Sequence, residues 1–352
     1  MKPSPFDALL LLPRLRVQNA NAVSSPMTWG FPAPSAFTGF VHALQRRLNA
    51  MGHDIQFGGV GIICHQFDPQ VFQPPGRRTQ VFRLTRNPVD KDGNTSAIVE
   101  EGRTHLAVSL LLTVSGDGCP VGADDCTAFA ALVLECAEGM RLAGGSILPQ
   151  PKRPKHPPQW LEWPRLLSDQ RLAWRRLRRH LMPGFVLVSR APLLAQHLHT
   201  LQQTRPQANA LDALLDVCRL NVEPTAAEPE DEGGNGDDSD VPATWAVRRR
   251  YRGWLVPLPL GYAAVSPLYP PGTVKNARDD APPFRFVESL LSLGEWVSPH
   301  RIAEAPHLLW HFDAQPNAGL YRLHNPYPSP STSPVTSLST SSVSAEPTVL
   351  TA

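Results

Sequence analysis

Clustered arginines are the side chains of this 352-residue sequence best suited to recognising a ligand. Five of them fall in the polar, turn-rich segment 71–103: Arg77, Arg78, Arg83, Arg86 and Arg103. A guanidinium group can bind a phosphate through two parallel hydrogen bonds, and it can also lie flat on a nucleobase. The segment therefore predicts contact with RNA. The alternative is an exposed hairpin whose charges prevent edge-to-edge strand pairing.

A second basic cluster lies between residues 141 and 180, which hold ten Lys or Arg and only two acids. Arg175 and Arg178 belong to a predicted basic helix over 168–182 with an apolar stripe of Leu172, Leu177 and Leu181. Arg141 precedes Gly144 and Gly145, and glycines let a backbone approach a phosphate closely. Neutralising phosphates needs such a cluster. The alternatives are a solvated helix face and a plain tight turn.

The loop 18–31 carries residues that can recognise unpaired bases. Asn19 and Asn21 can hydrogen-bond to the Watson–Crick edges of splayed bases, and Trp29 and Phe31 can stack on them. The two asparagines can equally form turns, and the two aromatic residues can instead cover the core.

Metal-binding and catalytic patterns are weak in this sequence. His307 and His311 have helical spacing, but they lack the glutamate of HExxH and a third ligand of matching spacing. The sequence contains no GxGxxG and no phosphate-binding P-loop, and its five cysteines form no CxxC. We therefore expect no metal, no cofactor and no catalytic site. Ribonuclease chemistry stays open, because His42, His65 and His105 lie near the predicted RNA surface.

The composition favours a loop-rich α+β protein. The sequence has 38 prolines, which break helix interiors and central strands, and its net charge is only +2. The apolar run at 8–12 is too short for a signal sequence or a membrane span. Dispersed cysteines are typical of reduced thiols, so the expected location is the cytoplasm, with no membrane partner.

The order of predicted elements positions these residues. A strand at 6–18, a helix at 35–48 and a strand at 58–67 open a ferredoxin-like half. A protruding β-hairpin at 68–103 follows, and then come a strand at 104–114, a helix at 123–139 and a glycine-bearing strand or turn at 140–149. These residues define a first part, 1–148.

The second part, 149–324, is an additional α/β region. It begins with a proline-rich irregular stretch at 149–165, and the basic helix 168–182 precedes a strand at 184–190. Helices are predicted at 191–202 and 208–220. Residues 222–240 hold eight acids and no basic residue, which predicts a disordered loop, followed at once by Arg248, Arg249 and Arg250. The Ser/Thr/Pro-rich tail 325–352 is also predicted to be disordered.

Long runs of the sequence are similar to those of a known family. They include LLLLPRLRVQNANAVSSPMTWGFPAPSAFTGFVHALQRR (9–47), SAIVEEGRTHLAVSLLL (96–112), MRLAGGSILP (140–149) and GWLVPLPLGYAAVSPLY (253–269). In these runs the chain resembles the RAMP-type, Cas-five-like subunit of type I-F CRISPR surveillance (Csy) complexes, the second protein of the Csy series. The resemblance extends over residues 6–323. The segments 149–165, 222–240 and 325–352 depart from the family pattern.

The resemblance implies a fold and a role. The expected fold is a ferredoxin-like (RRM-related) core with a thumb-like hairpin, which corresponds to 68–103. The expected partners are the 5′ handle of the CRISPR RNA (crRNA), the large Csy subunit, an adjacent backbone subunit and target DNA in the assembled complex. Such a subunit is not the processing nuclease. Two alternatives stay open: a metal-independent repeat endoribonuclease, and a protein adaptor without direct RNA contact.

Overall fold

The structure is a computed structural model that describes residues 6–83, 89, 92–95, 101–151, 153–226, 243–277, 279 and 281–328. Its helices are α1 (Pro34–Ala50), α2 (Ala123–Glu138), α3 (Leu167–His180), α4 (Ala191–Thr204) and α5 (Ala210–Cys218). Its strands are β1 (Ala8–Asn21), β2 (Val23–Ser25), β3 (Thr28–Trp29), β4 (Gln56–Pro69), β5 (Val71–Phe72), β6 (Val81–Phe82), β7 (Arg103–Ser115), β8 (Arg141–Leu142), β9 (Gly145–Leu148), β10 (Gln159–Glu162), β11 (Phe185–Ser189), β12 (Val222–Ala226), β13 (Ala243–Val247), β14 (Trp254–Ala264), β15 (Val287–Val297), β16 (Leu309–Gln315) and β17 (Leu320–His324).

The apolar run that opens β1 is continuous because both faces of this strand are buried. Successive side chains of a strand point to opposite faces of its sheet. Leu10 and Leu12 pack with α1 and α2 on one face. Leu9 and Leu11 pack on the other face with Trp174 of α3 and with the segment that precedes it. A strand that was covered on one side only would show alternation of apolar and polar residues.

The first part of the chain follows the order β1, α1, β4, β7, α2, β9. Its four main strands lie in the antiparallel order β4-β7-β1-β9, so the first and third strands along the chain form the centre. β10 also pairs with β1, beyond the segment that β9 covers. Four of the five junctions of this order are short, and the long one, between β4 and β7, contains the predicted hairpin.

Strand β4 also belongs to a second, closed arrangement. Its free edge pairs with β16 through Val60 and Gly61, and with β11 through Ile63 and Cys64. β16 pairs with β17, β17 with β14, β14 with β15, and β15 with β11, so the ring of six strands closes on β4. Gly61 permits this closure, because a Cβ there would lie 1.8 Å from Cδ1 of Leu308. Helices α4 and α5 pack on the outside of β14 and β15.

A mixed α/β fold with a large antiparallel sheet is therefore confirmed. All five predicted helices are confirmed, with ends shifted by one or two residues. Strands from both sides of the boundary at residue 148 share the sheet, and the division into two parts stays a prediction. Within the described residues, no helix is long and apolar enough to cross a membrane.

Three local predictions need correction. Residues 222–226, the start of the expected disordered loop 222–240, form strand β12. This strand pairs with β13, which follows the acidic segment in the chain. Residues 227–242 lie outside the described residues. The stretch 149–165 contains β10, which the edge of β1 recruits. On the basic helix, Leu172 was expected in the apolar stripe but is 50% exposed. Trp174 is buried beside Leu177 instead.

Candidate RNA-binding surface

The end of β1 brings together several of the predicted site residues. Asn21 lies opposite Arg103 of β7 in the sheet register. The Arg103 guanidinium forms an ion pair with Glu101, and it donates to the backbone carbonyl of Asn19 at 3.4 Å. One carboxylate and one carbonyl engage only some of the five N–H donors of this guanidinium. Arg103 therefore keeps donors for a phosphate that approaches the end of β1.

The two asparagines of this strand end have different surroundings. Asn19 has a φ of 58°, a left-handed conformation that Asn tolerates, and its side-chain oxygen accepts from Nε2 of Gln70. The Asn21 side chain accepts from the backbone N–H of Val23 at 3.1 Å and donates to the carbonyl of the same residue at 2.7 Å. Asn21 therefore forms a local turn, as the alternative interpretation expected. The Asn19 side chain is exposed and contacts Gln70.

The hairpin formed by β8 and β9 holds Arg141 against the same strand end. Its two turn residues, Ala143 and Gly144, have φ values of 50° and 76°. The Ala143 carbonyl accepts from the backbone N–H of Asn21 at 2.8 Å. At Gly145 a Cβ would lie 2.7 Å from backbone atoms of β1, so only glycine lets the strands approach this closely. The hairpin is therefore locked to β1, and it carries the exposed Arg141.

An open groove of about 630 Å³ lies between this hairpin and the first turn of α1. Arg141, Gly144 and Asn21 line one side, and Tyr262 and Tyr321 line another. The first turn of α1 carries no acidic residue, and the aligned peptide dipoles make a helix N-terminus partly positive. The groove thus offers a guanidinium, tyrosine side chains and a favourable helix end to a phosphate. We call it the handle groove.

The start of the predicted thumb lies next to this region. β5 and β6 pair, and the connecting residues carry Arg77 and Arg78, both exposed. Arg83 is exposed directly after β6. Arg86 and the rest of the segment 84–100, apart from residues 89 and 92–95, lie outside the described residues. The hairpin role of 68–103 stays a prediction.

Trp29 and Phe31 divide between the two interpretations. The Phe31 ring stacks on Phe37 at 5.4 Å and meets Trp296 edge-on at 4.8 Å, so it covers the core as expected. Trp29 is 58% exposed and contacts Phe82 edge-on at 5.5 Å. For Trp29 the core-packing interpretation is wrong, because the short β2–β3 turn carries this ring outward from α1. Trp29 retains an exposed surface on which a base can stack.

Arg175 and Arg178 lie apart from the other candidates. Helix α3 packs on the opposite face of the sheet from α1, against the first half of β1. Arg178 donates to the carbonyls of His300 at 3.1 Å and Ile302 at 3.3 Å, so its guanidinium anchors the segment after β15. Arg175 is exposed. The structure therefore gathers the candidates of the β1 end, but it does not bring the basic helix to them.

Of the candidate catalytic histidines, His65 is engaged in structural contacts, whereas His42 is exposed on α1. Nδ1 of His65 donates to the Pro183 carbonyl at 2.6 Å, and Nε2 lies 2.6 Å from Oγ of Ser109. Burial lowers the pKa of His65, so the ring stays neutral. Burial raises the pKa of the Cys64 thiol to about 12, which keeps it protonated. Within the described residues, no three His, Cys, Asp or Glu side chains converge as metal ligands.

A buried polar network centred on Asp216 escaped prediction from sequence. Nε2 of His197 lies 2.9 Å from Oδ2 of Asp216, and Nδ1 lies 3.0 Å from the Tyr251 hydroxyl. Arg219 and Arg250 also contact this carboxylate, at 2.8 Å and 3.3 Å. Burial favours a raised pKa for Asp216, but Arg250, His197 and Arg219 together hold it below its usual value. The run of arginines at 248–250 was the available signal.

Comparison with known proteins decides the family. A family model for the CRISPR-associated protein Cas_Csy2 matches residues 10–323. The chain belongs to the Csy2 family. CRISPR-associated protein Csy2 of Pseudomonas aeruginosa (strain UCBPP-PA14) is 56% identical to it over 324 residues, which covers 91% of this chain and 96% of that relative. The resemblance to the second protein of the type I-F Csy series is confirmed, and this Csy2-family protein is a subunit of a Csy complex.

Proposed function

We propose that this Csy2-family protein is a non-catalytic subunit that holds the 5′ handle of the crRNA, together with the large Csy subunit, and so supports recognition of target DNA. The observation that carries the proposal is the convergence of Arg103, Arg141 and the Gly144–Gly145 turn at the end of β1. Arg103 comes from β7 and the other residues come from the β8–β9 hairpin, and these two distant segments both pair with the second half of β1.

A ferredoxin-like core is part of the proposal. The connectivity β1-α1-β4-β7-α2-β9 and the order β4-β7-β1-β9 support it, because a split βαβ arrangement places the first and third strands at the centre. In RRM-type domains an exposed sheet face binds RNA through aromatic side chains. Here helix α3 covers the face opposite α1, so the proposed RNA path uses the strand ends and the handle groove instead.

The chemistry of the handle groove suits an unpaired RNA backbone. Arg141 in the handle groove and Arg103 at the end of β1 supply charge-assisted donors for phosphates. The exposed Trp29 ring, which lines a separate pocket, supplies a stacking surface. Base pairing between guide and target carries the sequence information in RNA-guided complexes, so the protein needs shape and charge rather than base readout. The predicted thumb, 68–103, is proposed to pack on the adjacent backbone subunit.

Handle affinity of the co-purified complex with the large subunit tests the proposal. The double variant Arg103→Ala with Arg141→Ala removes two phosphate contacts, so the slope of log K against log salt falls by about 1.4 for a single strand. Arg176→Ala with Arg179→Ala is the matched control, because both arginines are exposed on α3, which packs on the opposite face of the sheet from α1. Unchanged handle affinity and salt slope in the double variant would refute the site.

The two alternatives give different results in the same preparation. A metal-independent ribonuclease would convert repeat RNA to a product with a 2′,3′-cyclic phosphate in the presence of EDTA, and we expect no product. A protein adaptor would show no crosslink between crRNA and this subunit within the assembled complex. We expect crosslinks at Trp29 and in the β8–β9 hairpin.

A further inference from the structure

A second basic surface lies on the far side of the strand ring, where α5 meets the start of β14. An open groove of about 710 Å³ is lined there by four arginines: Arg219, Arg248, Arg249 and Arg250. We call it the arginine groove. The described acids in contact with it are Asp216 and Glu223, which lie 2.8–3.5 Å from Arg219, Arg248 and Arg250. Among the residues that the structure describes, four guanidinium groups thus face two carboxylates in this groove.

Buried side chains hold two arginines of the arginine groove in place. The Asp216 carboxylate is buried, and it contacts both Arg219 and Arg250 while His197 supports its other side. Side chains held in this way lose little conformational entropy when a ligand binds. In contrast, Arg249 and Arg252 are exposed and form no hydrogen bond or ion pair with any other residue that the structure describes. Arg249 lines the arginine groove, and Arg252 lies in the chain between two of its lining residues, Tyr251 and Gly253, so both guanidinium groups can meet an anion at this surface.

An aromatic pocket continues from the arginine groove. Its volume is about 230 Å³, and its walls include Trp29, Phe67, Phe185, Trp254 and Trp296. Trp254 lines both the pocket and the arginine groove. Trp254 is 57% exposed, and it is held by an edge-on contact with Phe185 at 5.4 Å. A large aromatic side chain is thus presented to solvent beside the unpaired guanidinium groups.

We propose that the arginine groove and the aromatic pocket together bind an unpaired nucleic-acid strand. Arg249 and Arg252 would contact its phosphates, and a base would stack on Trp254. Proteins that bind single strands combine a basic channel with aromatic stacking surfaces. An acidic peptide would use the arginines but would leave the aromatic pocket without an aromatic partner. The proposal uses arginines other than Arg103 and Arg141, and it shares with the proposed handle-binding surface the residue Trp29, which is one wall of the aromatic pocket.

Fluorescence anisotropy with labelled oligonucleotides tests this on the full chain carrying Arg103→Ala and Arg141→Ala, so that the handle groove does not contribute. The variant Arg249→Ala with Arg252→Ala should weaken binding of oligo(dT) or oligo(U) by about fivefold or more, and lower the salt slope by about 1.4. Arg46→Ala with Lys275→Ala removes the same charge from exposed positions elsewhere and should leave the affinity within about twofold.

An abasic oligonucleotide of equal length keeps the phosphates but lacks the bases. It therefore separates the contribution of stacking from that of charge on a protein whose arginine groove is not mutated. We expect it to bind about fivefold more weakly than oligo(dT), and Trp254→Leu should remove this difference. Tighter binding of oligo(U) than oligo(dT) would identify an RNA strand, and the reverse a DNA strand. The proposal is overturned by equal affinity of the arginine variant and its control, or by equal affinity for the abasic probe. Equal binding of a polyglutamate peptide would point to an acidic protein partner and would also overturn it.

Discussion

A buried ion pair beneath the arginine groove offers a quantitative test of the structure. Arg190, which lies between β11 and α4, and Glu295 of β15 have side chains that are 1% and 4% exposed, with Nε and Oε2 3.1 Å apart. Arg301 lies 3.8 Å from the other carboxylate oxygen. Burial raises the pKa of Glu295, and Arg190 and Arg301 offset this only in part. Each of these two buried charges is therefore stabilised by the other.

Substitution of one partner should be more harmful than substitution of both. Arg190→Met leaves a buried carboxylate and Glu295→Leu leaves a buried guanidinium, so each should lower the free energy of unfolding by about 3–5 kcal/mol. The double variant removes both charges, and the Met and Leu side chains have volumes similar to those of the Arg and Glu side chains that they replace. We expect it to be more stable than either single variant, with a coupling energy of about 3 kcal/mol or more.

The two single variants should also differ in pH dependence. In Arg190→Met the folded pKa of Glu295 rises further above its unfolded value of about 4.3. A raised folded pKa contributes stability at low pH that is lost as the pH rises through the folded pKa. The deficit of this variant should therefore shrink between about pH 8 and pH 5. Glu295→Leu has no carboxyl group to titrate at this position, whereas the wild-type chain loses stability as the pH rises through the raised pKa of Glu295. The deficit of this variant should therefore shrink as the pH rises, the opposite of the trend for Arg190→Met.

Urea unfolding followed by tryptophan fluorescence, repeated across this pH range, measures all four proteins. The wild-type chain measured at each pH is the reference for the deficits. Additive effects of the two substitutions, or a deficit of Arg190→Met that does not change with pH, would refute the inference that these side chains share a dry interior. The result matters for the arginine groove, because Glu295 also abuts Gly253, where a Cβ would lie 2.6 Å from its Oε1.

Two further predictions concern residues near the proposed surfaces. Gly145→Ala should push β9 away from β1, lower the free energy of unfolding by about 1–3 kcal/mol and weaken handle binding, whereas Gly144→Ala, whose Cβ meets nothing within 4 Å, should cost only about 1 kcal/mol of left-handed backbone strain. Thermal unfolding and handle anisotropy distinguish them. Arg178→Ala should lower the free energy of unfolding by about 1.5–3 kcal/mol because it loses charged hydrogen bonds to the carbonyls of His300 and Ile302, while Arg175→Ala should change it by less than about 0.5 kcal/mol. Equal destabilisation by both arginine variants would contradict the different roles assigned to them.

Local periodicity was sufficient to find the helices and the main strands. The 3.6-residue spacing of apolar side chains identified all five helices, and continuous apolar runs identified β1, β4 and β7. The family followed from long runs of similar sequence, and the comparison with known proteins confirmed it. These features depend on residues that are close together in the chain, so a single sequence contains the information for them.

Pairing between distant segments was beyond that information. Strand β12 was missed because its short run merges into an acidic segment, and its partner β13 lies on the far side of that segment. Leu172 was assigned to the core because spacing alone does not distinguish it from Trp174, which the neighbouring Ile302 carbonyl selects through a hydrogen bond of 2.9 Å. Trp29 was assigned to the core because composition does not reveal the direction of a two-residue strand.

The sequence by itself determined which segments are regular, where the arginines are concentrated and to which family the chain belongs. Only the tertiary structure decided that β4 takes part in two arrangements, that Arg103 and Arg141 meet at the end of β1, and that Arg178 anchors a loop instead of facing a ligand. The physical reason is range: propensity and periodicity act within a few residues, whereas strand register and burial are set by packing between segments that lie far apart in the chain.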